Sequence, residues 1–151
     1  MQSIQQVEQN FNILKKSKIE LSTFKNKALK TMIGLLMFII LFHFCIITKI
    51  IPFNIAWGGR LKNDTQMYIF EIISITFNGL LIMVLLLKAN YLKHKISEKI
   101  LDVILWFFMI LFALNSIGNI VSKTYFEKFF AIFTLIFTVL IWIILKKREL
   151  K

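Results

Sequence analysis

One carboxylate stands inside a stretch that is otherwise long and apolar enough to cross a bilayer. It is Glu71, in Tyr68–Asn90, YIFEIISITFNGLLIMVLLLKAN. Ser74 and Asn78 follow at offsets of three and seven residues, which share one face of a helix. A carboxylate at membrane depth is costly and turns toward protein or water rather than lipid. There it can hold a proton, a cation or an amine ligand. The structural alternative is an ion pair or hydrogen-bonded lock between helices, with no ligand.

The other polar residues of the apolar runs can be placed by counting from the run ends at ~1.5 Å per residue. Asn119, Thr48 and Lys49 fall at the level of Glu71. Asn78, Asn115, His43 and Thr134 fall nearer the midplane. Asn115 and Asn119 are four apart and share a face. The second and third runs are therefore expected to be neighbours whose polar faces meet, around a shallow pocket that opens outward. Helix glue through Asn hydrogen bonds is the plainer reading of these amides. Two cations are candidates to pair with Glu71. Lys49 ends the first run. Arg60 follows Gly58-Gly59, a turn signal that could fold the WGGR loop over the helix ends as a lid. Arg60 is the favoured partner, because its fork matches a carboxylate in two hydrogen bonds, with Asn119 adding another.

Other chemistries find no support in the residue pattern. His43 and Cys45 are two apart and point to different faces of a helix, so no metal site is expected; a packed, hydrogen-bonded His43 is the reading. The single Cys45 excludes an internal disulfide and a CxxC motif. There is no GxSxG, no P-loop and no pair of catalytic carboxylates, since Asp102 and Glu127 sit at helix starts. No cofactor is expected, and an enzyme acting on lipid ranks third, behind the binding and transport readings.

These residues need helices across a membrane to position them. Of 151 residues, 58% are hydrophobic and mean hydropathy is +0.73, too apolar for a soluble domain of this size. Four apolar runs, at about 32–51, 68–87, 100–121 and 129–145, suit a ~30 Å hydrocarbon core. Trp57 is a natural interfacial anchor. The fold class is an all-α integral membrane protein, a four-transmembrane-helix bundle over 31–146. A cytoplasmic, basic, amphipathic segment over 1–30 precedes it, and a basic tail over 147–151 follows. In the leading segment Ile4, Val7, Phe11, Leu14, Leu21 and Ala28 follow a heptad seam broken by Lys18 and Lys25, as in a helix lying on a membrane surface.

Net charge is +11, and it clusters at run ends. Fourteen Lys and Arg lie in the leading segment, the Lys88–Lys99 connection and the tail, against five in the alternate connections. Both termini are therefore expected in the cytoplasm of a multi-pass plasma-membrane protein. The charge points to anionic lipid at the cytoplasmic face rather than to nucleic acid. The excess of Ile, Lys, Phe and Asn suggests an AT-rich bacterial genome.

Two stretches, PFNIAWGGRLKNDTQMYIFEIISI and LWFFMILFALNSIGNIVSKTYFEKFF, resemble a group of uncharacterised small bacterial four-span membrane proteins. The WGGR loop and the NSIGN helix end carry the resemblance. It implies a four-helix membrane protein and brings no activity with it. The functional expectation is a non-enzymatic binding or interaction protein with an outward polar pocket around Glu71. The alternative is a small oligomeric transporter or proton-coupled channel that uses Glu71. Partners expected in either case are the bilayer and a second copy of the chain or another membrane protein.

Overall fold

A computed structural model describes residues 2–53, 61–122 and 125–146. It contains four helices: α1 (Gln2–Ile47), α2 (Asp64–Lys88), α3 (Glu98–Ile120) and α4 (Tyr125–Leu145). Each is long and apolar enough to cross a membrane. The bundle has a near end, with the α2–α3 connection, and a far end, with the α1–α2 and α3–α4 connections. Outward faces of the helices are apolar as well, with Phe38, Ile72, Phe107 and Val139 all exposed. Such surface is a liability in water and ordinary in hydrocarbon.

The leading segment and the first run form one helix, not two elements. No Pro or Gly separates residue 30 from residue 32, so nothing stops propagation. At ~1.5 Å per residue the helix is ~69 Å long, about twice a hydrocarbon core. Ala28, Leu29, Met32, Leu36 and Ile39 are buried in the bundle, whereas Ile4, Val7, Phe11 and Leu14 are exposed. The amphipathic part thus projects from the near end along the axis of α1 and does not fold aside. The far end of α1 also differs from the expected span of 32–51: the helix stops at Ile47. Pro52 disfavours helical geometry in the residue before it. Lys49 turns into the left-handed region at φ 60°, and its N–H returns to the Ile46 carbonyl at 2.9 Å.

The remaining ends are capped by their own sequence. Asn63 accepts from the Gln66 N–H at 2.9 Å, and the Gln66 side chain accepts in turn from the Lys62 N–H. α2 closes on Asn90 at φ 57°, with Tyr91 N–H to Leu86 O and Asn90 N–H to Leu87 O, a Schellman arrangement. Ser97 starts α3 by accepting from the Ile100 N–H.

α3 and α4 pack along their whole length as a hairpin, and α1 pairs with α2. The two pairs meet mainly through a core toward the near end, where Leu36, Leu81, Leu85, Leu101, Leu105, Phe108 and Ile141 are buried together. A smaller far-end cluster joins Ile46, Leu61 and Met67 within the α1–α2 pair. A polar stitch holds α3 to α4: Ser116 Oγ and Thr134 Oγ1 are 2.7 Å apart, both buried.

At the near end Lys88 closes α2 onto α3. Its ammonium lies 2.7 Å from Asp102 Oδ1 and also binds Glu98. Burial alone would lower the Lys88 pKa, but hydrogen bonds to Asp102 and Glu98 outweigh it, and the pKa is raised above 10.5. Lys25 of α1 faces the same cluster. Burial first, and the Lys88 charge second, lower its pKa, with Asp102 partly opposing. Because the folded pKa of Lys88 exceeds the unfolded value, its contribution is complete at neutral pH and disappears as pH rises past the raised value. The Lys88 side chain is 17% exposed and Asp102 is 22% exposed. Lys88→Gln is therefore expected to cost about 1–2 kcal/mol, between an exposed and a buried pair. Thermal unfolding in detergent measures this, and the gap between wild type and variant should close as pH rises past the raised Lys88 value.

Candidate functional site

The polar residues of the far half converge because the four helices reach that level from alternate directions. His43 lies four residues before the end of α1, and Glu71 lies seven residues past the start of α2. Asn119 is in the last turn of α3, and Glu127 is in the first turn of α4. At this level the two helix pairs meet through Phe42 of α1 and Phe130 of α4, whose ring centroids are 5.1 Å apart. A cavity of about 550 Å³ lies between the two pairs.

Glu71 is completely buried. Its Oε2 is 2.5 Å from Nδ1 of His43, whose side chain is 14% exposed. When Glu71 is ionised, Nδ1–H donates to it, in a neutral or a cationic imidazole. When Glu71 is protonated, its O–H donates to Nδ1. One contact therefore serves two positions of a proton, and it joins α1 to α2 at the cavity wall.

The five residues expected around an outward pocket, Glu71, Ser74, Asn78, Asn115 and Asn119, all line this cavity. They do so in ways that differ from the expectation of two polar faces in contact. Asn78 donates from Nδ2 to the Ser74 carbonyl of its own helix at 2.7 Å. Asn115 is exposed at the rim, and Asn119 is half-buried. α2 and α3 border one cavity and pack closely only nearer the other end. Helix glue is therefore not what these amides supply.

Lys49 is not a partner of Glu71. The left-handed turn at the end of α1 swings it outward, where its ammonium binds Asp64 among exposed groups. Arg60, with the whole WGGR loop, lies outside the described residues. His43 takes the contact that Lys49 was expected to offer. Counting from a span ending at Ile51 sets His43 too deep; a helix that stops at Ile47 brings it up by about one turn. Pro52 restricts only Ile51, so the earlier stop at Ile47 carries no comparable signal in the sequence. Glu127 is at a helix start, as read from sequence, and it also lines the cavity.

The rest of the wall is largely aromatic, with Phe42, Phe77, Phe108, Phe130 and Phe133. An apolar cavity of several hundred Å³ with a few convergent polar groups suits a small organic molecule. Among the described residues no three His, Cys, Asp or Glu side chains come together as a metal site. Comparison with protein-family models, curated proteins and solved structures finds no match to this chain.

Proposed function

We propose that this chain is a multi-pass protein of the bacterial plasma membrane, with both termini cytoplasmic, that binds a small molecule in the cavity between its two helix pairs. The observation that carries the reading is the fully buried Glu71, hydrogen-bonded to His43 at the wall of a 550 Å³ space. A lock between α1 and α2 alone would need no space beside it. The exposed Lys residues of the near-end connection would meet anionic lipid headgroups. Ser74→Trp tests the binding reading, since Ser74 borders the cavity and an indole would fill part of it. Native mass spectrometry of protein extracted gently from its own membranes is expected to find a non-covalent adduct in the wild type. The adduct should be absent from a folded Ser74→Trp variant. Identical spectra from the two proteins would refute the reading.

A second reading, a proton-coupled carrier, is favoured by the two proton positions that the His43–Glu71 contact accommodates. It requires flux. Proteoliposomes given a pH gradient should then acidify in a manner abolished by Glu71→Gln; a tight membrane leaves simple binding.

A further inference from the structure

The shape of the cavity selects a ligand class, and the selection rests on the binding reading above. The described lining residues are sorted by depth. Glu71, Asn119 and Glu127 lie at the far end. Phe108, Phe112 and Phe137 line the space from the other side and belong to the buried core of the bundle. From Asn119 to Phe108 the α3 wall runs ~16 Å along the helix axis. Two deeper polar residues are already occupied: Asn78 donates to the Ser74 carbonyl, and Thr134 is bonded to Ser116. An amphiphile standing in a membrane leaflet has the same order, with its head at the surface and its hydrocarbon toward the midplane. A space of about 550 Å³ is the size that encloses one small molecule, which suits a single chain.

The walls of the cavity say how such a molecule arrives. α3 packs against α4, the His43–Glu71 contact joins α1 to α2, and the Phe42–Phe130 contact joins α1 to α4. The residues that bury α2 against α3, Leu81 and Leu85 with Leu101 and Leu105, lie toward the near end. Farther along, Ile73 and Phe77 of α2 and Asn115 of α3 are exposed and also line the cavity. The gap between these two helices opens sideways, onto surface that lipid would cover. A chain entering there passes from hydrocarbon to an aromatic wall and never meets water.

We infer that the cavity takes a single-chained amphiphile from the surrounding leaflet through the α2–α3 gap. Its chain lies along Phe77, Phe112 and Phe133, and its head stays at the far-end level of Asn119. The chain and its route define the class, whatever the charge of the head. The test uses a monoacylglycerol with a diazirine midway along its chain, in phosphatidylcholine nanodiscs that hold the intact protein. Illumination inserts the chain into whatever lies beside it, and peptide mapping reads the position. α4 supplies an internal control. Ile132, Val139 and Trp142 are exposed on its outer side, whereas Phe133, half-buried, and Phe137, buried, line the cavity. Insertion at Phe133 and Phe137 is expected to saturate with probe and to be competed by unlabelled monoacylglycerol. Insertion at Ile132, Val139 and Trp142 should rise in proportion to the probe. Ser74→Trp and Leu111→Trp fill the space from α2 and from α3. Each should weaken cavity-wall insertion roughly tenfold or more, the effect of displacing about two methylenes. The wild-type pattern is decisive by itself, so the test does not depend on a variant that fails to fold. Insertion confined to the outer side would overturn the inference. Cavity-wall insertion that never saturates, or that is unmoved by both substitutions, would also overturn it. If the adduct sensitive to Ser74→Trp is still found in that case, the cavity binds another class of molecule and the binding reading stands. If that adduct is missing too, both fail.

Discussion

Replacing His43 by alanine is expected to destabilise the protein by about 3 kcal/mol, and adding Glu71→Gln to recover part of that loss. Glu71 has no exposed surface, so removing a partner leaves a carboxylate with less compensation in a low-dielectric wall. Neutralising it to an amide lowers that penalty. The single change Glu71→Gln should itself cost less, because a glutamine oxygen can still accept from Nδ1. A coupling energy of roughly 1.5–3 kcal/mol between the two positions is the expected outcome, the range for a hydrogen bond to a charged group. Reversible unfolding by SDS titration in mixed micelles gives the four free energies. Additive effects would sink the contact as an energetic link between α1 and α2. A double change to leucine is informative in a different way. Buried ion pairs are often replaced by apolar residues without loss of stability. A stable His43→Leu/Glu71→Leu protein that no longer carries the wild-type adduct would separate the fold of this site from its function.

The helices were legible in the sequence and their pairing was not. Runs at 68–87, 100–121 and 129–145 lie within a few residues of Asp64–Lys88, Glu98–Ile120 and Tyr125–Leu145, because apolar length sets a spanning helix. The caps at Asn63 and Ser97 and the turn at Asn90 lie just beyond those runs, where short polar residues end the apolar pattern. Glu71, Ser74 and Asn78 shared a face, and they do share a cavity. What hydropathy could not supply was the angular position of each helix. All four are apolar on several sides, so the pattern does not say which side meets protein. Pairing α2 with α3 followed from matching polar depth, yet the α1–α2 contact uses a histidine on a helix with no polar stripe. The depth error of about one turn at His43 came from a single feature, the helix stop at Ile47. α1 was divided at residue 30 because charge ends there; backbone continuity depends on helix breakers, and none is present.

Accessibility from outside an intact cell is expected to divide the connections all-or-none. Cysteines placed at Lys62 and Tyr125 should react with a membrane-impermeant maleimide, and one placed at Lys95 should react only after the membrane is opened. The near and far ends of the bundle are geometrically distinct, so a single orientation fixes every connection at once. Lys62 and Tyr125 are exposed at the far end, and Lys95 is exposed at the near end. In the orientation proposed from the Lys/Arg split of fourteen to five, the near end is cytoplasmic, and at that end the leading part of α1 projects as well. Asn63 is a poorer site for the label, because its side chain caps α2 and a cysteine there would lose that hydrogen bond. The native Cys45 is half-buried in α1 and must first be changed to alanine so that it contributes no signal. The orientation also decides what the cavity can meet. With the near end inside, His43, Glu71 and Glu127 lie in the outer half of the bilayer, and the α2–α3 gap opens to the outer leaflet. A molecule arriving from outside the cell would then reach the site without crossing the membrane. Labelling at Lys95 alone in intact cells would reverse the assignment. Labelling at both ends would mean that the charge split does not hold this chain in one orientation.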